Sequence, residues 1–387
     1  MDGLPGAASH AGNAEVNSGR ALGRRRLLWY ARRMDVDLQL IFQNYGGALS
    51  DAEHVAHERR VAELAEPLGF DKVFVVEHHF FDYAACPDNA QFLSWLAART
   101  ERIGLATGAF ILPWNDRLRV AEKIVLLDHL SNGRAVLGLG RGLARREYAG
   151  FGVEMAESRD RFDEAARLIL DATDRGYIEG DGPFYPRQRT DIRPRPLRGF
   201  RDRLYAIGMS PDSVEQAARL GARLAIFSQL PWDVWAATSL AAYRRVWGET
   251  HATPAPPPLT SDLMYCAPTD EEAEAVARVH MAEYYLSVLD HYELLAGHFQ
   301  GVRGYEMYAR ASEVLSSVGR EDQAQTYLRV QSWGAPATIL RKLAQRREVV
   351  GDFELSLIVR YGSLPVERVE ASLRLFAAEV LPELKRW

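Results

Sequence analysis

The sequence predicts an α/β fold, a single (β/α)8 TIM barrel with loop insertions, and three observations point to it. From Met34 onward, short apolar runs alternate with stretches of helical hydrophobic period. The alternation completes about eight strand–helix units, the number a closed parallel barrel requires. No glycine-rich phosphate loop stands near the chain start, where an open doubly wound sheet would carry one. At 387 residues the chain has the length of two average domains, yet barrels of this size are commonly one domain. The expected organisation is therefore one barrel over residues 34–387, preceded by an extension over 1–33.

Residues 36–42 are an apolar run of β type. Residues 50–68 read as a helix, with Ser50 and Glu53 at capping-box spacing and Gly69 placed to stop it. Strand 72–76 follows, then helix 90–102 and strand 103–112. Helix 118–130 ends at an Asn132-Gly133 turn before strand 134–139. In helix 158–174, Phe162, Ala165, Ala166, Ile169, Leu170 and Thr173 share one face. A Pro- and Arg-rich excursion over 180–199 leads to strand 203–207 and helix 212–220. Strand 223–227, helix 232–247, strand 259–266 and helix 270–295 continue the rhythm, with 253–258 as a loop. Residues 296–332, containing Gly297, Gly301 and Gly304, read as an irregular insertion. Helix 336–345, strand 353–359 and helix 365–381 close the chain, Pro365 suiting a first turn and Pro382 a stop.

Composition narrows the function classes. Hydrophobic residues at 47% and charged residues at 26% allow a large core. No segment approaches about 18 uninterrupted apolar residues, so no membrane span is expected. A formal net charge of −5, with six Arg gathered in the first 34 residues, argues against a nucleic-acid partner. Cys86 and Cys266 lie outside any metal-ligand spacing, which suits a reducing cytoplasm without disulfides. In the extension, Arg24-Arg25-Arg26 are followed by Arg32 and Arg33 too soon for the apolar stretch of an export signal. Residues 1–33 are expected to be disordered, an upstream reading start being one origin, with the folded domain beginning near Met34.

Barrel enzymes carry their chemistry on the loops that follow strands. After the second strand comes Glu77-His78-His79-Phe80. Adjacent histidines in extended chain project in different directions, and no further ligand stands at helical spacing, so no metal site is expected. A histidine here is either structural or functional, and its place at a strand end favours function. After the third strand, the small residues of Thr107-Gly108-Ala109-Phe110 fit either a tight bend or the close approach of a planar ring. After the fourth, Gly138-Leu139-Gly140-Arg141-Gly142-Leu143 fails the dinucleotide pattern at Leu143. Its backbone amides and guanidinium suit a phosphate instead. Arg159 either joins it or is a solvated surface charge. After the fifth, Met209-Ser210-Pro211-Asp212-Ser213 opens a helix, which serves ordinary capping or phosphate binding equally well.

Together these segments resemble the bacterial luciferase-like flavin-dependent monooxygenases, from about Asp35 to Leu384. The most specific pieces are Glu77-His78-His79-Phe80, the run from Ala106 to Pro113, and the run from Leu126 to Arg134. Gly140-Arg141-Gly142-Leu143, Phe151-Gly152, Ser158-Arg159 and the closing run from Leu375 to Pro382 continue it. The resemblance implies that Arg141 and Arg159 pair with the phosphate of FMN. Ser210, Ser213 and the Met209 amide would complete that cradle, and Leu143 would touch the flavin. Gly108 and Ala109 fall where the family has a non-proline cis peptide under the ring, and His78 matches its catalytic histidine. Bacterial luciferase has a reactive cysteine where this chain has Gly140 and an acidic residue where it has Met209, so light emission is not predicted.

By the same resemblance, reduced FMN, supplied in trans by a flavin reductase, and O2 would oxygenate a small organic substrate through a C4a-peroxyflavin. His78 would act as general acid or base. The substrate would be a small, fairly apolar molecule such as an aldehyde or ketone, with Tyr45, Phe80, Phe110 and Trp114 as expected pocket walls. A homodimer is the expected assembly. Two rivals remain: an F420-dependent hydride-transfer oxidoreductase of the same fold, and a non-catalytic flavin-binding partner subunit. Titration with each reduced cofactor separates the first, and activity of the single purified chain separates the second.

Overall fold

The computed structural model describes residues 33–227 and 230–387. The extension expected over 1–33 lies outside these residues except for Arg33, and Met34–Trp387 forms one compact unit.

The strands run, in chain order, β1 (Val36–Leu40), β2 (Lys72–Val75), β3 (Gly104–Thr107), β4 (Phe110–Ile111) and β5 (Ala135–Gly140). An antiparallel hairpin follows, β6 (Tyr177–Gly180) with β7 (Arg187–Asp191). Then come β8 (Leu204–Ile207), β9 (Arg223–Phe227), β10 (Leu259–Cys266), the short β11 (Ser332–Gly334) and β12 (Glu354–Ile358). Parallel pairing runs β12–β1–β2–β3–β5–β8–β9–β10, and β10 pairs back to β12, which closes an eight-stranded barrel. Leu38 stands opposite Val73 on one side and Leu357 on the other. Every residue of β1, β2, β5, β10 and β12 is buried, because helices cover the outside of the barrel. Strands buried on both faces are rich in apolar residues, and the polar ones among them here (Asp37, Gln39, Asp262, Glu354) are buried with them.

Six helices position the site: α1 (Asp51–Leu68), α2 (Asn89–Ala97), α3 (Arg117–Leu130), α4 (Arg145–Phe151), α5 (Ser158–Arg175) and α6 (Pro211–Arg219). Ser50 and Glu53 form the expected capping box on α1, and Gly69 ends it at φ 91°. Asn132 and Gly133 turn the chain between α3 and β5 at φ 54° and 85°.

The structure departs from the sequence expectations at several points. Strand 103–112 is broken into β3 and β4 by a cis peptide between Gly108 and Ala109. Helices 232–247 and 270–295 each contain a π turn, at Ala236–Leu240 and Ala277–Met281. The excursion over 180–199 holds one strand of the hairpin. The insertion read as irregular carries two helices, Glu306–Ser316 and Arg320–Leu328. Pro365 is the N-cap of Val366–Glu379, and Pro382 sits within the turn Leu381–Leu384 rather than ending a helix. Both are positions where a missing N–H costs nothing.

The motif from Leu126 to Arg134 is architectural. Arg134 donates to the carbonyls of Ala97, Thr100 and Ile103 at 3.1, 3.0 and 2.8 Å, closing the end of α2. Asp128 accepts two bonds from Arg203, at 2.5 and 2.8 Å, with both side chains buried. Removing one partner of such a pair strands a buried charge. Asp128→Asn should therefore lower the unfolding free energy by about 3–5 kcal/mol, measured by urea denaturation.

Lys72 fills the opposite, N-terminal mouth of the barrel with charge, bonding Asp35 at 2.9 Å, Asp37 at 3.3 Å and Glu354 at 2.6 Å. The C-terminal mouth is left for chemistry.

Candidate active site

A cavity of about 230 Å³ opens at the C-terminal strand ends. His78 lines it beyond β2, Gly108 and Ala109 beyond β3, Arg141 and Leu143 beyond β5, and Met209 and Ser213 beyond β8. Seven of the nine sequence-derived site residues thus share one cavity, while Arg159 and Ser210 do not line it.

His78 is fixed by partners that sequence reasoning missed. Its Nδ1 lies 3.0 Å from Glu147 Oε1 on α4, and the same oxygen accepts the His79 amide at 2.8 Å. A carboxylate accepts, so Nδ1 carries the proton and Nε2 is left for other chemistry. The Tyr292 hydroxyl lies 3.4 Å from that Nε2. Burial pushes Glu147 up, but His78 and the His79 amide outweigh it, and the carboxyl sits below its ordinary value. His79 turns the other way, to Glu77 at 3.2 Å. Glu77 in turn accepts from Trp114 Nε1 at 2.9 Å, Asn115 at 2.7 Å and the Ile111 amide at 3.2 Å, locking this loop to the one after β4. Asn89 ties the cis peptide in place, donating to Ala109 O at 3.1 Å and Val75 O at 3.2 Å.

Arg141 leaves β5 beside glycines that close packing requires. A Cβ on Gly138 would overlap the Thr107 carbonyl, and Gly142 adopts φ 83° against the Trp114 ring. The insertion clamps the guanidinium: Gly304 O accepts from Nη2 at 2.9 Å, and the Tyr305 ring lies 4.1 Å beneath it. Tyr305 itself donates to Gly142 O at 3.2 Å. Among the described residues, one buried nitrogen of Arg141 (Nη1) and one of Arg159 (Nη2) have no hydrogen-bond partner. Burial first, and then the charge of Arg141, lower the Arg159 guanidinium from its ordinary value, so the two cations sense each other. At the start of α6 the two serines cap the helix. Ser213 Oγ accepts from Ser210 N at 2.9 Å and donates to Ser210 O at 2.8 Å.

The expected pocket walls are corrected. Phe110 is buried in the core, and Phe80, 59% exposed, packs on Phe151 with ring centres 5.2 Å apart. Trp114 is occupied with Glu77 and Phe151, and Tyr45 lies in a 3-10 turn off the cavity. The roof comes instead from Tyr284, Tyr285 and Tyr292, from Met307 and Tyr308, and from Tyr327. The clustering of tyrosines between 284 and 308 was the available sequence signal.

His291 also reaches this point, its ring stacked on Tyr83 at 4.1 Å and neither nitrogen partnered among the described residues. His78, Glu147 and His291 offer ligand-type atoms within 4.8 Å of one another, a grouping the adjacent histidines alone did not suggest. Here Glu147 Oε1 is instead engaged by His78 and the His79 amide. Burial, then the charge of His78, push His291 down from 6.5 to about 3. With the folded value depressed, its contribution to stability is complete above pH 6.5 and is lost as pH falls toward 3. His291→Phe should flatten the acid side of the stability profile over that window, read as urea midpoints at successive pH values.

A luciferase-like monooxygenase family model matches residues 34–352, ending before the closing run from Leu375 to Pro382. The alkanal monooxygenase alpha chain of Photorhabdus luminescens is 28% identical over 162 residues, 42% of this chain and 45% of that protein. The chain spans about half the length of the curated relatives it matches. The monooxygenase RslO1 from Streptomyces bottropensis superposes with a TM-score of 0.70 at 27% identity, covering 90% of this chain and 99% of that one. The oxygenating constituent of 3,6-diketocamphane monooxygenase from Pseudomonas putida, solved with FMN, shares the fold. Its TM-score is 0.71 at 18% identity, covering 91% and 99% of the two chains. With a closed barrel, a cavity at its C-terminal mouth and a family match over most of its length, the chain belongs to the luciferase-like monooxygenase family.

Proposed function

We propose that the protein is a flavin-dependent monooxygenase that takes reduced FMN in trans from a separate reductase and uses O2 to oxygenate a small organic substrate. One observation carries the reading. Two guanidiniums that sense each other's charge each keep a buried, unpartnered nitrogen, beside a cavity that also holds His78. The Asp163 carboxylate offsets part of that charge, but each buried nitrogen still lacks an acceptor, and a phosphate would supply one to both. The diketocamphane enzyme, which shares the fold, is solved in complex with FMN.

Arg141 and Arg159 would hold the phosphate, with the Met209 amide, Ser210 and Ser213 at the α6 start. Gly108 and Ala109 leave space for a planar ring, and Leu143 would contact it. When bound and reduced, the flavin supplies the electrons for activating O2, which no side chain here can do. Glu147 holds the His78 ring so that Nε2 faces the cavity, where it gives or takes a proton. The tyrosine roof keeps water out. Two buried free cysteines and the lack, among the described residues, of any helix long and apolar enough to cross a membrane support a cytoplasmic setting.

The test is a screen of organic substrates with the purified single chain, chemically reduced FMN and O2. The expected result is substrate-dependent O2 uptake and a product heavier by one oxygen atom. Hydride transfer from reduced F420 without O2 uptake would replace this reading, and inactivity of the single chain would favour a supporting subunit.

A further inference from the structure

The cavity roof is built from phenol rings where aliphatic side chains would serve an aliphatic occupant. Tyr285 stacks on Tyr327 with ring centres 4.8 Å apart, and Tyr83 stacks on Tyr284 at 6.2 Å. Tyr284 and Tyr327 join the two pairs at 6.4 Å, and Tyr292 closes on Tyr83 edge-on at 5.5 Å. These five rings all line the cavity, and they come from three separate places: the loop after β2, the helix Ala282–His291 with the residue that follows it, and the helix Arg320–Leu328.

Their hydroxyls are unequally engaged. Tyr83 and Tyr284 share a contact at 3.4 Å, Tyr285 donates to Gln323 at 3.2 Å, and Tyr292 faces His78. The Tyr327 hydroxyl has no hydrogen-bond partner among the described residues although its ring lines the cavity. Burial raises Tyr83, Tyr284, Tyr292 and Tyr327 well above the ordinary phenol value, so each stays a donor. An aliphatic chain would cover that donor without satisfying it. An aromatic face stacks on such walls, and an oxygen on its rim would accept the free hydroxyl.

We infer that the cavity takes a flat, oxygen-bearing aromatic substrate, a phenol or quinone ring system, held by the tyrosine faces with an oxygen on the Tyr327 hydroxyl, in preference to a linear aldehyde. This rests on the oxygenase reading of the same site and names its substrate class.

The test is calorimetric titration of the full chain with 2-naphthol, naphthalene and nonanal, with and without oxidised FMN. The expected order is 2-naphthol over nonanal by about tenfold, the scale of one or two aromatic contacts. Tyr327→Phe should weaken 2-naphthol by about fivefold, one hydrogen bond, and leave naphthalene unchanged. Tyr284→Leu should weaken both aromatic probes. Nonanal binding as tightly as 2-naphthol in both states would overturn the inference. So would the absence of 2-naphthol binding, or 2-naphthol affinity indifferent to both substitutions. Flavin fluorescence in the same samples reports FMN binding separately. Aromatic preference without FMN binding would remove the oxygenase reading and leave the binding preference standing. FMN binding with nonanal preferred would do the reverse.

Discussion

Arg141→Gln should weaken FMN binding by about a hundredfold, because a charged group buried opposite a phosphate is worth about 2–5 kcal/mol. That substitution has a second consequence. Arg141 also bonds Gly304 O and lies over Tyr305, so its loss should loosen the insertion and lower the melting temperature. Arg159→Gln separates the two effects. Among the described residues Arg159 holds no such clamp, and removing it relieves repulsion from Arg141 while giving up the attraction of Asp163, two effects that oppose each other. Its FMN affinity should fall comparably while the flavin-free protein melts no lower than the parent. Fluorescence titration and thermal melts on both variants give the comparison. Equal FMN affinity in both variants and the parent would remove the cradle.

His78→Ala should slow turnover by about 10²–10⁴-fold, the range for a lost general acid or base, with FMN affinity little changed. The division matters because His78 and the arginines line one cavity but have different tasks. A purely structural His78 would show the opposite pattern, a fall in melting temperature with turnover retained per folded molecule. Glu147→Gln tests the positioning partner. It keeps an acceptor near Nδ1 but removes the charge, so turnover should fall less than in His78→Ala, and the acidic limb of its pH profile should move.

The eight barrel strands were legible because each is a short, mostly apolar and mostly buried run bounded by turn or helix signals. The site residues at their ends were legible for a related reason: a barrel brings strand ends to one rim, so adjacency in space follows from order in the chain. Glu147 was not legible. It sits on a short helix, Arg145–Phe151, too brief to show a hydrophobic period. His291, Tyr292 and Tyr305 were missed because they arrive from the end of the helix Ala282–His291 and from the insertion after it, more than 140 residues downstream of β5. No local rule places such a segment over the rim. The four expected pocket walls failed by the converse error. Tyr45, Phe80, Phe110 and Trp114 are near the rim in sequence, yet side chains alternate across an extended chain. Phe110 points into the core, and Trp114 is turned to Glu77.

The most direct measurement is a crystal structure of the protein grown with FMN. The phosphate should lie against the free nitrogens of Arg141 and Arg159 at the start of α6, with the ring reaching His78. A flavin bound elsewhere, or a phosphate touching neither arginine, would contradict the account.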